Sequence, residues 1–552
     1  MRYTLISCFI IIISAAVSAQ TEYVPADNQV YELLTRMETL GIINNYNSFE
    51  IPKTRKEIAG YLNEIINSES RLDNSDQVLM NDLKIEFEYE LYGTLNNSTR
   101  LIGNENYNFL SQKEKYLYFY NEPEKFNLFI NLTGEGDLLL KDNLESEDRN
   151  SAFLGIAGGE IRGTVLNKFG FYIKGTNGNV FGKKNAALLK PDLRYNYKLN
   201  DDSSETFFDE TQGYLTADFD LIKFKYGRDR MNIGYGIDKI ILGNNAPVFD
   251  YLALSMKYKF FSFSFFHGQL LGHESYAVDT VTGGVNVVDS KYMAYHRIGF
   301  NISRDFNFGA GELIIYGQRS VDLSYLNPFG FYKSIEHSNR DRDNAMLFFD
   351  ANNKTFDGLK LYATLLIDDI KFGKLGTGWW GNQTIVDAGI NSELFYNILP
   401  LDINLQYTRI DPYVFTHRLI RNNYTNFGYS LSSISEPNSE LFLSEINYRF
   451  SNRLKFSFIY NFRIHGANPV DNNGKVKENV GGDISLGHRI FDSEYVRFLD
   501  GFKEYSRMYS IKVIYEPINE YFLSVNFNYL NESLQLTKNE EFDTILIISV
   551  KF

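Results

Sequence analysis

From Phe126 to the C-terminus the chain alternates apolar and polar side chains with a period of two, which restricts it to β-structure with two unlike faces. Phe261, Phe263 and Phe265 stand against Ser262 and Ser264, and Leu401, Ile403, Leu405 and Tyr407 against Asp402, Asn404, Gln406 and Thr408. Leu523, Val525, Phe527 and Tyr529 stand likewise against Ser524, Asn526 and Asn528. Such strands fit a half-exposed sheet or a membrane barrel, and connector lengths separate the two. Short connectors at 166–169, 220–221, 259–260, 303–310, 352–357, 450–453 and 517–520 alternate with long ones. The long ones run over 134–152, 179–212, 272–290, 321–342, 410–440 and 465–506. Outer-membrane barrels keep tight turns on the periplasmic side and long loops outside, an asymmetry a secreted sandwich or propeller has no reason to adopt. The expected fold is therefore mainly β: a transmembrane antiparallel barrel of about 18 strands, an even number as bacterial barrels require. The closing segment TILIISVKF puts Leu546, Ile548, Val550 and the terminal Phe552 on one face. It is expected to pair with the Phe126 strand so that no edge stays open, and to present Phe552 to the barrel assembly machinery.

Past the first twenty residues no apolar run is long enough to span a membrane as a helix, which excludes a helical membrane protein. Aromatic residues make up 16% of the chain and Gly outnumbers Pro 41 to 11, a balance that favours strands and turns. Arg2, the apolar run from Leu5 to Val17 and the small residues Val17-Ser18-Ala19 before Gln20 read as a signal peptide. Cys8 is the single cysteine and lies inside that segment, so the exported chain has no disulfide or thiolate chemistry. The formal net charge of -14 argues against nucleic acid as a partner.

Ahead of the alternating region the period changes. Val30, Leu33, Leu34, Met37 and Leu40 keep helical spacing after a cap expected at Asp27, with Gly41 past the end. Thr54 and Glu57 form a capping box before Ile58, Leu62, Ile65 and Ile66. The stretch 75–91 fits either period, and its Ser75-Asp76 start favours a helix. The expected division is a signal peptide over 1–19, a small periplasmic helical domain over 20–92, a connector over 93–125 and the barrel over 126–552.

Charges inside such a barrel more often close it with ion pairs than touch a ligand. Alternation places Ile298, Phe300 and Ile302 outward with Tyr295, Arg297 and Asn301 inward, and Leu361, Ala363, Leu365 and Ile367 outward with Tyr362, Thr364 and Asp368 inward. Glu312, Tyr316 and Gln318 face inward if Leu313 and Ile315 face lipid. In YGRDRMNIGYG the same rule sends Lys223, Lys225 and Asp229 to the lumen and Arg228 and Arg230 outward, a position tolerable at the rim under the long loops. Arg228, Asp229, Arg230, Arg297, Glu312 and Asp368 are thus the expected lumen and rim charge network. Sugar recognition needs aromatic faces beside amides and carboxylates on the outer loops, and Trp379, Trp380, Tyr325, Asn327 and Tyr413 supply them. Aromatic residues also anchor barrels at the membrane interface. No G-x-S-x-G, H-E-x-x-H or phosphate-binding Gly loop is present, and Asp368 and Asp369 point to opposite faces, so no enzyme is expected. The seven His residues lack metal-ligand spacing, and no cofactor or metal is expected.

Several segments in order resemble the Wzi-type capsule assembly family of outer-membrane proteins: GRDRMNIGYG at 227–236, LGNNAPVFDYLALSMKY at 242–258, KYMAYHRIGF at 291–300, GELIIYGQR at 311–319, SYLNPF at 324–329, RDNAMLFFD at 342–350 and LYATLLIDDI at 361–370. EYVPADNQVYELLTRMETLGII at the N-terminus is similar to that family's periplasmic helical segment, while Ile233 and Tyr235 depart from the Trp and Pro common there. The resemblance implies an outer-membrane barrel, in contact with outer-membrane lipids, that holds capsular or extracellular polysaccharide at the cell surface as a lectin. A porin-like channel is the alternative that a charged lumen allows.

Overall fold

The computed structural model describes residues 20–552 except 105–106, 146–147, 197–198, 200–205, 244–245, 279–282, 341, 397 and 434–435. The expected signal peptide, with Cys8, lies outside the described residues. Period-two segments form the strands β1 (Phe126–Asn143), β2 (Asp148–Val165), β3 (Phe169–Gly182), β4 (Phe207–Asp218), β5 (Ile222–Asp229), β6 (Phe249–Tyr258), β7 (Phe261–Ala277), β8 (Val285–Asn301) and β9 (Phe306–Gly317). The second half adds β10 (Asn344–Phe356), β11 (Leu359–Asp369), β12 (Gln383–Ser392), β13 (Leu401–Ile410), β14 (Ser439–Ser451), β15 (Leu454–Ala467), β16 (Phe502–Ile518), β17 (Tyr521–Ser533) and β18 (Lys538–Lys551). Neighbours in sequence pair antiparallel, and β18 closes the barrel on β1 from Glu541 opposite Asn143 to Lys551 opposite Thr133. Leu132 and Phe552 then exchange backbone hydrogen bonds at 2.6 and 2.9 Å, so the terminal aromatic ends the seam as expected. Residues of β1 beyond the seam pair with a short strand, Tyr118–Glu122.

Two expected long connectors are partly strand. The ladder of β1 and β2 runs from Phe126 opposite Val165 to Asn143 opposite Asp148, so 134–152 is mostly ladder. Strands β7 and β8 also project past their neighbours, with an irregularity between Leu271 and Glu274.

The N-terminal segment folds as α1 (Val30–Thr39), α2 (Arg55–Ile66), α3 (Asn74–Glu86) and α4 (Glu88–Tyr92). The apolar faces of these helices share one core containing Leu33, Met37, Ile58, Leu62, Leu79 and Leu83. The Thr54 and Glu57 capping box forms as read. Asp27 does not cap α1; the side chain of Asn28 accepts from the Val30 N–H at 2.8 Å instead. Segment 75–91 is helical, interrupted at Phe87, with Asp73 rather than Ser75 as the cap of α3. No helix among the described residues is long and apolar enough to cross a membrane.

These helices seat on the short-turn end of the barrel and touch its turns in succession. Lys56 lies 3.1 Å from Asp220 in the β4–β5 turn, and Arg304 of the β8–β9 turn donates to Asn44 and to the Gly41 carbonyl. Glu38 sits between Lys354 and Lys360 at the β10–β11 turn, Arg36 pairs with Asp402 of β13 at 2.9 Å, and Arg453 of the β14–β15 turn pairs with Asp82 at 3.0 Å.

The lumen is filled rather than open. The connector from β5 to β6 folds inward, and its Asn232–Ile233 pairs antiparallel with Glu50–Ile51 of the N-terminal segment. Phe49, Ile233, Tyr235, Ile241 and Leu242 pack there against Tyr295, Leu313, Phe348 and Tyr362 of the wall and against Phe415 and Leu431 of the β13–β14 connector.

That filling reverses the expected facing of β9. Leu313 and Ile315 belong to the lumen core, so Glu312, Ile314 and Tyr316 point outward. The β9–β10 connector lies as a strap over this outer face, with a short helix at Tyr332–Ser338. Tyr325 and Tyr332 of the strap pack on Tyr292, Ala294, Ile314 and Tyr316. The assumption that the apolar side meets lipid fails here because the barrel has an apolar interior and a polar outer stripe that its own chain covers. Gln318 lies beyond β9, where it hydrogen bonds to Asp289 and receives the Arg421 guanidinium.

Candidate functional site

The long-loop end carries a cluster of aromatic side chains from three connectors. In the β11–β12 connector Gly376 and Gly378 take left-handed backbone, with φ of 73° and 77°, and turn Trp379-Trp380 toward the β15–β16 connector. Trp379 bridges Tyr495 there, and the Trp380 N–H donates to the Glu494 carbonyl at 3.1 Å. The Trp380 and His488 rings stack with centroids 4.0 Å apart and planes 6° from parallel. Tyr413 of the β13–β14 connector supports both rings from beneath, edge-on at 5.8 and 5.4 Å. Stacked pairs of this kind contribute about 0.5–1.5 kcal/mol each beyond the area they cover. Tyr413 is itself fully buried against Val480 and Val496, and its hydroxyl donates to the Asn479 carbonyl at 2.8 Å.

Charged groups ring the aromatic faces. Lys374 lies 4.8 Å from the Trp379 ring and 3.8 Å from Glu494, and Lys371 lies 5.6 Å from the same ring. Arg489 forks onto both oxygens of Asp492, and Oδ2 also receives the Asn479 amide at 2.8 Å. Burial raises the Asp492 carboxyl, and the hydrogen bonds from Arg489 and Asn479 outweigh it, holding the group below the usual carboxylate range. The carboxylate therefore stays charged and positioned. Both Trp rings are half-buried, Tyr495 is 56% exposed and Phe491 75% exposed, so flat apolar surface stands open beside fixed polar groups. That combination suits a sugar, with a C–H face for the rings and hydroxyls for the amides and carboxylates.

Three of the five residues expected to bind a ligand, Trp379, Trp380 and Tyr413, meet at this cluster. The other two lie on the strap. Tyr325 is fully buried there with its hydroxyl on Asp343 at 2.8 Å, and Asn327 turns its side chain back to the Phe329 N–H. Tyr325 is therefore a packing residue, since its ring and hydroxyl are both committed. His488, Tyr495, Lys374 and Asp492 were missed. For His488, Asp492 and Tyr495 the signal in the sequence was the interleaving of aromatic and charged residues in HRIFDSEYVRF, inside the long connector 465–506.

The six expected network charges resolve into four separate ion pairs and two carboxylates held by backbone N–H groups. Arg228 lies outside, 3.6 Å from Asp250 across the β5–β6 ladder, and Arg230 pairs with Asp192 of the β3–β4 connector. Asp229 points inward onto Lys225, and Arg297 forks onto Asp350 at 2.7 and 2.8 Å. Asp368 accepts from the Phe415 N–H at 2.7 Å, tying the β13–β14 connector to the wall. Glu312, on the outer face, accepts from the Tyr332 and Lys333 N–H groups and so caps the strap helix, with His296 beside it at 3.2 Å. Gly227, between these charges and β4, has φ of 147°, and a Cβ there would meet the Gly213 carbonyl oxygen at 2.2 Å. This position needs glycine because the two strands approach so closely. Among the described residues no group of three or more His, Cys, Asp or Glu side chains is placed to hold a metal ion.

A family model described as capsule assembly protein Wzi matches residues 158–498. No curated protein matches the sequence significantly. Among solved structures the fold is similar to Wzi of Escherichia coli, described as an outer membrane protein involved in group 1 capsule assembly and a carbohydrate-binding β-barrel. The similarity covers 96% of this chain and 99% of that one at 11% identity, with a TM-score of 0.56. Pseudomonas aeruginosa OccK8 (OprE) is similar over 77% of this chain and 98% of its own at 10% identity, with a TM-score of 0.45. Acinetobacter baumannii OccAB1 is similar over 77% and 97% at 12% identity, with a TM-score of 0.44.

Proposed function

Because the chain belongs to the Wzi capsule assembly family, we propose that it holds capsular or extracellular polysaccharide at the cell surface through the aromatic cluster on its long loops. The protein is an outer-membrane β-barrel of that family. The observation that carries the reading is the half-buried Trp379, Trp380 and His488 surface, flanked by exposed Tyr495 and Phe491, at the end where the long connectors gather. Outer-membrane barrels keep their short turns in the periplasm, which supports a periplasmic position for α1 to α4 and an extracellular one for the cluster. Outward side chains such as Leu215 and Tyr226, 63% and 66% exposed, then meet outer-membrane lipid. The closing strand ending in Phe552 fits recognition by the barrel assembly machinery. The reading is a non-enzymatic one, a holding role carried by ring faces beside the Arg489 and Asp492 pair. A porin-like channel would need an open lumen, and Phe49, Tyr235 and Phe348 pack across this one.

Trp379→Ala is expected to weaken binding of the cell's own capsular polysaccharide by about 30-fold, the effect of losing an interface anchor worth about 2 kcal/mol. Tyr325→Phe, on the strap, is expected to leave it unchanged. Calorimetric titration of the purified protein in detergent micelles measures both, and equal affinities for the Trp379→Ala variant and the wild type would sink the reading. In cells, removal of the protein is expected to shed polysaccharide into the medium.

A further inference from the structure

A second feature lies at the opposite end from the aromatic cluster. Between segment 45–57 and the inner faces of β5 to β8 is a cavity of about 510 Å³, reaching the short-turn end at Asp220 and Leu221. Its size falls within the range of about 300–1,000 Å³ that small-ligand sites occupy. Six cations and four carboxylates line it, in a protein that is strongly acidic as a whole.

The carboxylates already have partners. Asp218 and Asp220 face Lys56 at 3.7 and 3.1 Å, and Glu57 accepts from Lys223 at 2.9 Å. Glu50 receives the Tyr295 hydroxyl at 2.7 Å together with that of Ser264. Two lysines remain without a carboxylate within ion-pair distance among the described residues. Among the described residues Lys257, exposed at the cavity mouth, reaches the Asn45 carbonyl and the Tyr61 hydroxyl, both at 3.4 Å, and the Lys53 ammonium has no ion-pair partner. Burial, with the like charges of Lys257 and Lys223 and against Glu57 and Glu50, holds the Lys53 ammonium below the ordinary lysine range.

One neutral group is also unanswered. Tyr251 is 2% exposed, lines the cavity, and its hydroxyl has no hydrogen-bond partner among the described residues. A buried hydroxyl left unpaired costs about 1–3 kcal/mol, so the site is built to receive a polar ligand. Tyr23 and Tyr61 of the N-terminal segment also line the cavity.

We propose that this cavity is a saccharide site for an acidic sugar chain, whose carboxylate or phosphate answers Lys53 and Lys257 while a hydroxyl of a further sugar unit pairs with Tyr251, six residues along β6. The inference rests on the reading of the chain as a polysaccharide-binding protein and adds a second point of contact, on the far side of the lumen plug. The plug keeps the two sites apart, so the cavity meets saccharide at the short-turn end and the aromatic cluster meets it at the long-loop end.

The test is calorimetry on the full chain in detergent micelles, with oligogalacturonate, glucose 6-phosphate and a neutral maltooligosaccharide as probes. Oligogalacturonate or the hexose phosphate is expected to bind with an affinity that falls as salt rises, and which of the two binds identifies the anion. The maltooligosaccharide is expected not to bind in this cavity. Lys53→Gln combined with Lys257→Gln is expected to lower the anion's affinity about tenfold or more. Tyr251→Phe, which keeps the ring in place, is expected to weaken it less. Equal binding of the neutral probe, binding of neither anion, or an unchanged affinity in the double lysine variant would overturn the proposal. Binding of capsular polysaccharide at the Trp379 cluster, followed by its tryptophan fluorescence, is expected to give an intact response in that variant. Failure of the cavity with that response intact overturns this inference alone, and loss of polysaccharide binding by the wild type overturns the reading beneath it.

Discussion

Glu38→Ala is expected to destabilise the folded protein by about 3–5 kcal/mol, because it leaves two buried lysines without their counter-charge. The Glu38 side chain is completely buried between Lys360 and Lys354, which are themselves 1% and 3% exposed. Lys360 has a further contact with the Ser48 hydroxyl at 2.6 Å, too little to compensate an ammonium out of water. Since Glu38 lies on α1 and both lysines on the barrel, the loss falls on the docking of the helices. The variant is therefore expected to expose segment 20–92 to trypsin at protease levels the wild type resists, with a lower urea midpoint. Adding Lys360→Met is expected to recover part of the loss, since an apolar side chain needs no partner there. A wild-type urea midpoint and trypsin pattern in Glu38→Ala would mean that water reaches these lysines.

Arg297→Ala is expected to have an effect of similar size, about 3–5 kcal/mol, for a different region. Arg297 and Asp350 form a two-pronged pair inside the barrel, 3% and 0% exposed, with the guanidinium 4.7 Å over the Phe49 ring. Removing the arginine leaves the buried Asp350 carboxylate with the Tyr235 hydroxyl at 3.2 Å but no counter-charge and also loosens Phe49, the residue by which the N-terminal segment enters the lumen. Replacing both partners by apolar residues, Arg297→Met with Asp350→Leu, is expected to restore wild-type stability or exceed it, since neither charge then needs compensation. Arg297→Lys is expected to fall between, because a lysine cannot make both hydrogen bonds at once. Urea unfolding followed by circular dichroism orders the four proteins, and a single variant as stable as the wild type would contradict a dry lumen.

The strands could be read from alternation because side-chain period and backbone geometry coincide in β-structure. Leu361, Ala363, Leu365 and Ile367 do face outward, and Tyr362, Thr364 and Asp368 inward. The same reasoning failed at Glu312, since alternation separates two faces without saying which one meets lipid. Only the lumen filling of Phe49, Ile233 and Tyr235, brought from two distant segments, makes Leu313 and Ile315 interior. The candidate site divides in the same way. Trp379-Trp380 stood out as the chain's two tryptophans in a Gly-rich stretch, whereas His488 and Tyr495 lie more than a hundred residues away in a loop without periodicity. Irregular loops carry no pattern from which their meeting point follows. Tyr325 looked like an exposed loop aromatic for the same reason, and the strap that buries it has no signature beyond a short helix.

The two tryptophans make the central claim directly measurable, because both sit in the proposed binding cluster and nothing else in the chain contributes indole emission. The measurement is a titration of the purified protein's tryptophan fluorescence with the capsular polysaccharide of its own cells, beside uncharged dextran. The account predicts a saturable change in emission with the capsular polysaccharide and none with dextran. Unchanged emission, together with no heat of binding in the same preparation, would contradict it.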